Sequence, residues 1–518
     1  MMTLKLSKSI AIGLLSIVML LHLISDDLYA QSLTGQNEIR YGRPGKKEFN
    51  SYDYLYYMEN YLQLYATYEE FTLHVRQRYL MPSEFGERRD GLDAFDKIFV
   101  EYKTDHLRVK GGDFYTEWGR GLLMGSLESL ELNFDSGLEG IMAEADYNNV
   151  EIAVFRGIEV DTSSAILESA AGGMLSYNFP YSRFIAGNVK LGGSAIHFDE
   201  GNRHAAFDRR GVEAQYLYDF GSVYVSYSTD SYNELAETYF HGYYSAFEFF
   251  GRDWSLLIDY KNYRFPPFQL PALQFPPQAF PTSIMYLFSR EQPETHYQND
   301  VGVQAELTYR FNGWDYNLNV NQSSYQDKIR ILPSRQTRLH PFWSTFGTAE
   351  YAPLGKDRLL FQAGYMETTA RNYRYGGGIL YEWRIDSELT LTSEAQSVWV
   401  ETPSTWSEEE ESYLWAGYRE DYILIALTKS HFGTITGTLA RSNYEWATEG
   451  TFPKGRLKHK IFGRGQYWPA ILLTADFMER HQLRLFYGYE RGGLGCAGGL
   501  CRLIQPFRGV KATFTSQF

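Results

Sequence analysis

Apolar and polar residues alternate one by one over most of this chain. Between residues 301 and 311, Val301, Val303, Ala305, Leu307, Tyr309 and Phe311 form one face, and Gly302, Gln304, Glu306, Thr308 and Arg310 form the other. A period of two is the side-chain spacing of a β-strand. Asn312-Gly313 follows, a dipeptide suited to a two-residue hairpin turn. The return run then puts Trp314, Tyr316, Leu318 and Val320 on one face. Phe311 and Trp314 flank the turn and share the apolar face, so the register closes. The same test succeeds at Glu69-Glu70, Asp105-His106 and Asn148-Asn149. One or two such hairpins fit a soluble sandwich. Hairpins repeated along the whole chain predict an all-β fold, a closed antiparallel barrel with up-and-down meander topology.

The last strand supplies an orientation. Val510, Ala512, Phe514, Ser516 and Phe518 alternate with Lys511, Thr513, Thr515 and Gln517. A final strand ending on Phe resembles the assembly signal of outer-membrane barrels, which implies a periplasmic C-terminus. Reading back from Phe518, short connections (Glu479–His481, Lys429–Phe432, Ile385–Ser387, Pro353–Asp357, Asn312-Gly313) alternate with long ones. The alternation continues through Gly251–Asp253, Asp219–Gly221, Asn148-Asn149, Asp105-His106 and Glu69-Glu70. Only Pro180–Asn188 reads too long for its place. The count is roughly 24 strands, within about 22–26, an even number as such barrels usually have. The first begins near Leu33 and is expected beside the last, which leaves no room for an N-terminal plug domain.

The first thirty residues read differently. Lys5 and Lys8 precede an apolar run from Ile10 to Ile24 and a polar stretch ending at Ala30. This is the form of a secretory signal peptide, 1–30, with the mature chain starting near Gln31 as a single barrel domain, 31–518. Leu28 fits poorly three residues before the cut, which keeps an uncleaved anchor as the alternative. Composition agrees with a barrel wall: 42 Tyr, 34 Phe and 10 Trp can populate the aromatic girdles at both membrane interfaces. The net charge of −14 argues against nucleic acid as a partner. Gly-x-Ser-x-Gly, His-Glu-x-x-His and P-loop motifs are absent, so no catalytic residue, cofactor or metal site is expected.

One long connection stands apart. Thr116–Gly137, TEWGRGLLMGSLESLELNFDSG, carries Glu117, Arg120, Glu128, Glu131 and Asp135 among Leu122, Leu123, Leu127, Leu130 and Leu132. Those leucines suit a loop folded inward against a barrel wall. Neighbouring strands place Arg40, His74, Arg76, Arg78, Lys103, Arg108 and Lys110 on the face opposite their apolar residues. Carboxylates on an infolded loop facing a basic wall resemble the constriction of a general diffusion porin, and such charges set a narrow pore's selectivity. The candidate constriction is therefore Glu117, Arg120, Glu128, Glu131 and Asp135 with Arg76, Arg78, Arg108 and Lys110. The competing reading is a surface loop, with the wall cations paired to Glu101 and Glu38.

Three other segments invite attention. Arg264–Asp300 contains FPPFQLPALQFPPQAFP, extended polyproline-like backbone that reads as a stiff loop packed across the barrel mouth or as a docking surface. Glu408–Glu411 reads as a solvated charge run, with divalent cations as the sharper alternative. Cys496 and Cys501 lie in a Gly-rich loop without a nearby His, so a disulfide is expected rather than zinc.

Gly112-Asp113-Phe114-Tyr115, Gly119-Arg120-Gly121-Leu122 and Asp135…Leu138-Glu139-Gly140 resemble an uncharacterised family of large, porin-like Gram-negative outer-membrane barrels. So does the ending Gly492-Gly493-Leu494 with Cys496, Cys501 and the Phe518 strand. The resemblance implies location and fold and brings no activity. The expected function is a diffusion or solute-selective channel of the outer membrane. The alternative is a non-conducting scaffold or secretion and partner-binding barrel, and an outer-membrane enzyme is a distant third. Expected partners are outer-membrane lipid, the barrel-assembly machinery, periplasmic chaperones and a small polar solute.

Overall fold

The computed structural model describes residues 32–44, 56–81, 84, 91–131, 134–160, 166–180, 187–200, 205–232, 240–265, 276–277, 285–289, 300–325, 342–353, 357–368, 372–407, 412–443, 466–497, 500–504 and 506–518. The expected signal peptide, the acidic run 408–411 and most of the Pro-rich stretch lie outside these residues, as do the side chains of Cys496 and Cys501.

Twenty-four strands form one antiparallel sheet in which each strand pairs with its neighbours in sequence. The sheet closes where the first strand, Ser32–Pro44, meets the last, Phe507–Gln517, from Gln36↔Gln517 to Pro44↔Gly509. Gly35 and Phe518 extend this seam by exchanging backbone hydrogen bonds of 2.8 and 3.0 Å. Closure removes the exposed edges that would otherwise pair with other chains.

Turn chemistry sets the register. Asn312 and Gly313 have φ of 50° and 80°, and Asn148 and Asn149 have 49° and 70°. Two successive positive φ values belong to the hairpin turn whose twist matches its strands, and Asn and Gly tolerate them best. Phe311 accordingly faces Trp314, Tyr147 faces Val150, and Tyr68 faces Phe71. Both ends of the sheet sit on the rim carrying these short turns. The long connections gather on the other rim.

The barrel is apolar outside and polar inside, the reverse of a soluble protein. Exposed Val303, Leu307, Tyr309, Phe311, Tyr316 and Leu318 cover one stretch of the outer wall. On the inner face of the same strands, Gln304 and Asn319 are buried and Asn317 donates to Glu306 at 2.6 Å. Exposed aromatics mark two levels: Trp343 and Tyr351 stand at opposite ends of strand Phe342–Tyr351. Eight residues at ~3.3 Å each separate them by about 26 Å along the strand, enough for the ~25 Å apolar band of such barrels before tilt is counted.

Candidate functional site

The segment after strand Leu107–Phe114 returns at strand Leu138–Tyr147, and Phe114 pairs directly with Leu138. Everything between leaves and re-enters the wall at one point. Inside this excursion, Glu117-Trp118 pairs with Met124-Gly125, and Glu128-Ser129 pairs with Phe134-Asp135. Two serines tie the base together. The Thr116 N–H donates to Ser126 Oγ at 2.8 Å, and the Leu127 N–H donates to Ser136 Oγ at 3.0 Å. Local satisfaction of these backbone groups lets the segment leave water without orphaned donors.

Its tip turns left-handed. Gly119, Arg120 and Gly121 have φ of 62°, 54° and 83°, and Leu123 N–H reaches back to Trp118 O at 3.2 Å. Glycine takes this conformation freely, whereas a side chain there costs about 1–2 kcal/mol. The turn drives two leucines into the far wall. Leu122 packs with Tyr224, Tyr244, Ala246, Tyr263 and Phe265, while Leu123, Met124 and Trp118 pack with Phe155, Ile196, Phe198 and Phe207. Gly211 and Gly242 are the sockets. A Cβ on Gly211 would stand 2.0 Å from Leu123 Cδ2, and one on Gly242 would stand 2.7 Å from Leu122 Cδ1. The Arg209 guanidinium, paired with Asp230 at 2.8 Å, also donates to Leu123 O at 3.3 Å.

Ion pairs hold the base to the near wall. Arg76 bridges Asp96 and Glu128, each at 2.6 Å, and Lys97 meets Asp135 at 2.7 Å and Asp113 at 3.5 Å. Arg40 donates to Leu130 O at 3.2 Å. Burial alone would raise the Asp135 carboxyl, but Lys97, the Gly137 N–H and the Tyr115 hydroxyl outweigh it and hold it below its usual range. A third of that side chain is exposed, so solvent screens part of the attraction.

Of the residues singled out in the sequence, the structure brings together Glu128 with Arg76, and Arg120 with the far-wall tyrosines Tyr224 and Tyr244. Asp135 pairs with Lys97, which the sequence did not single out. Lys97 shares the inward parity of Phe99, Glu101 and Lys103, so alternation places it correctly; the register shift between Arg76 and Arg78 falls beyond it and turns Asp96 toward both arginines. Glu117 and Glu131 are exposed. Arg78 pairs with Asp96 at 3.0 Å, and Arg108 with Glu101 at 2.8 Å and Glu144 at 3.2 Å. Lys110 lies 3.5 Å over the Phe99 ring. These three wall cations therefore meet wall partners instead of the loop. Adjacent strands offer a carboxylate or ring nearer than the loop does.

A second segment also turns inward. The Tyr263 hydroxyl donates to Pro277 O at 2.7 Å, within the Pro-rich stretch. Farther on, Met285 leads into a helical turn, Tyr286–Ser289, seated on the opposite wall among Phe342, Phe346, Met366, Val398, Val400 and Tyr422. Leu287 N–H donates to Gln396 Oε1 at 3.1 Å, and Arg374 donates to Leu287 O at 3.2 Å while pairing with Glu420. Met285, Leu287 and Phe288 are thereby taken out of water against the apolar residues of this wall.

A model described as a family of unknown function (DUF6029) matches residues 7–247. That span includes the Gly112–Tyr115 and Gly119–Leu122 motifs, and the Cys496–Cys501 ending lies beyond it. No curated protein matches the chain. A ferric enterobactin receptor of Pseudomonas aeruginosa (PfeA) in complex with enterobactin is similar at 9% identity and a TM-score of 0.48, over 94% of this chain and 81% of that one. The P pilus usher (PapC) translocation pore is similar at 8% identity and a TM-score of 0.44, over 94% and 99%. The siderophore receptor PirA of Pseudomonas aeruginosa is similar at 11% and 0.47, over 94% and 80%.

Proposed function

We propose that this chain is an outer-membrane barrel that passes small polar solutes through a constriction built by segment 116–137. The apolar outer wall and its two aromatic levels support residence in a bilayer. In this reading a signal peptide exports the chain, and assembly machinery and periplasmic chaperones deliver it, with the short-turn rim in the periplasm. A disulfide between Cys496 and Cys501, whose backbones face each other in a small hairpin, braces a long connection.

The observation that carries the channel reading is the set of ties from the segment to both walls. Arg76–Glu128 and Lys97–Asp135 fix its base, and Leu122 and Leu123 fix its tip. A segment so held narrows a lumen that 24 strands would otherwise leave wide, since barrels of 16–18 strands already enclose an aqueous channel. Charged and aromatic groups then line what remains. A second reading, a non-conducting scaffold, is favoured by one specific observation: Met285–Ser289 also turns inward and packs on the inner face of the other wall. Single-channel recording of the purified protein in planar bilayers separates them. Discrete openings with wild-type protein are expected, and their consistent absence from folded protein sinks the channel reading.

A further inference from the structure

We propose that Arg120 is the recognition element of a luminal binding site for zwitterionic solutes, amino acids and short peptides being the class that fits. The proposal rests on the channel reading and names its solute.

Arg120 occupies a left-handed position where a third glycine would be easier, between Gly119 and Gly121. A non-glycine residue held there points to a use for its side chain. The guanidinium lies 4.2 Å over the Tyr224 ring and 5.9 Å over that of Tyr244. Stacking fixes the plane of the group, one N–H meets the Tyr244 hydroxyl that itself donates to Asp259, and the remaining N–H groups of the fork are left for an acceptor. Among the described residues, Arg40, Arg76, Arg78, Arg108, Arg209, Arg358 and Arg374 all make ion pairs. Arg120 makes none. Asp259 attracts it from beyond ion-pair distance, so a fixed guanidinium with no carboxylate closed onto it matches a carboxylate on a ligand, bound through two parallel hydrogen bonds.

The surroundings say what else that ligand carries. The Tyr224 hydroxyl donates to Glu213 at 2.9 Å, and the Tyr244 hydroxyl donates to Asp259 at 2.9 Å. Glu248, 2.9 Å from Ser222 Oγ, and Glu306, held by Asn317, share the same inner wall. None of these four carboxylates is in an ion pair among the described residues. The nearby Lys261 is committed to Asp300 at 2.6 Å. One unpaired cation beside four unpaired carboxylates disfavours a dianion such as phosphate. It favours a solute whose single carboxylate meets Arg120 while its ammonium faces Glu213 and Asp259.

Diglycine is the probe, added to full-length protein in planar bilayers, with acetate and ethylammonium as single-charge controls. Diglycine should block current at least tenfold more strongly than either control. Arg120→Gln should raise its half-blocking concentration tenfold or more, with Arg120→Lys intermediate because it keeps the charge and loses the fork. Glu213→Gln with Asp259→Asn should remove the advantage of diglycine over acetate. Equal block of wild type and Arg120→Gln, or acetate matching diglycine in wild type, overturns the proposal. If folded wild type carries no current, the channel reading fails instead. Calorimetric titration of diglycine onto the solubilised barrel then decides: binding lost in Arg120→Gln upholds the site, and no binding to wild type ends it.

Discussion

Placing a methyl group in each glycine socket tests the docking of the inward segment without touching the segment itself. In Gly211→Ala, the new Cβ would start 2.0 Å from Leu123 Cδ2, and in Gly242→Ala, 2.7 Å from Leu122 Cδ1. Ordinary carbon contacts are about 3.5–4.0 Å, so Leu123 must retreat by roughly 1.5 Å and Leu122 by roughly 1 Å. Both leucines are fully buried, and each contributes about 1.5–3 kcal/mol by leaving water. Unseating both therefore forfeits about 3–6 kcal/mol, reduced by whatever rotamer shift each leucine finds at about 1 kcal/mol. A net loss near 3 kcal/mol changes the docked-to-undocked ratio about a hundredfold, at 1.4 kcal/mol per decade. The Arg209–Asp230 pair stays intact, so the barrel should survive. Single-channel conductance should rise in Gly211→Ala/Gly242→Ala, and a reporter cysteine at the buried neighbour Met124, which leaves both leucines in place, should become reactive to a membrane-impermeant maleimide. Unchanged conductance and an unreactive cysteine in a folded variant would show that the two glycines do not govern docking.

Neutralising Glu128 and Asp135 together should shift ion selectivity toward anions, measured by reversal potential, and the shift should shrink at 1 M salt, where screening falls to about 3 Å. Acid should loosen the same ties. Asp135 has a depressed pKa, so its contribution is present above the unfolded value of about 3.9 and is lost as pH falls through the lower folded value. Conductance should therefore rise below about pH 3.9 in wild type and not in Asp135→Asn. Cysteines at Asn37 and Ser516, which face each other across the seam, should crosslink in cells; a failure there, with crosslinking of a control pair at Tyr68 and Phe71, breaks the closure. Mass spectrometry should find Cys496 and Cys501 joined, and free thiols would refute it.

The barrel was legible because its two determinants are local. Alternation reports which face meets lipid, and turn residues such as Asn312-Gly313 report where strands reverse, so strand number and closure followed from counting. The inward segment was legible as an oddity, since leucines such as Leu122 had no place on a solvated loop. Its contacts were less so. Arg108 and Lys110 have the charge and the face expected of constriction residues, yet a neighbouring strand supplies their partners first. Lys97 had the right parity and charge and was simply not weighed, whereas Asp96, the partner of Arg76 and Arg78, was hidden by one irregular step in register. Gly211 and Gly242 carry no signal of their own, because a small residue declares its purpose only when the side chain filling the space is known. The proline-rich stretch showed stiffness. That its Leu287 would reach Gln396 and Arg374 depends on a partner far along the chain, which no local pattern records.

The two inward segments also impose an order on assembly. The ion pairs and apolar contacts that hold 116–137 run from Arg40 to Phe265, so these ties need only the first half of the sheet. The turn at Tyr286–Ser289 needs the strands from Phe342 to Ser442, and it must be held inside while they are added. The seam between Ser32–Pro44 and Phe507–Gln517 joins the first strand to the last, so it cannot form until the whole chain is available. A growing sheet therefore gains its interior filling progressively, and the finished barrel never has to be threaded.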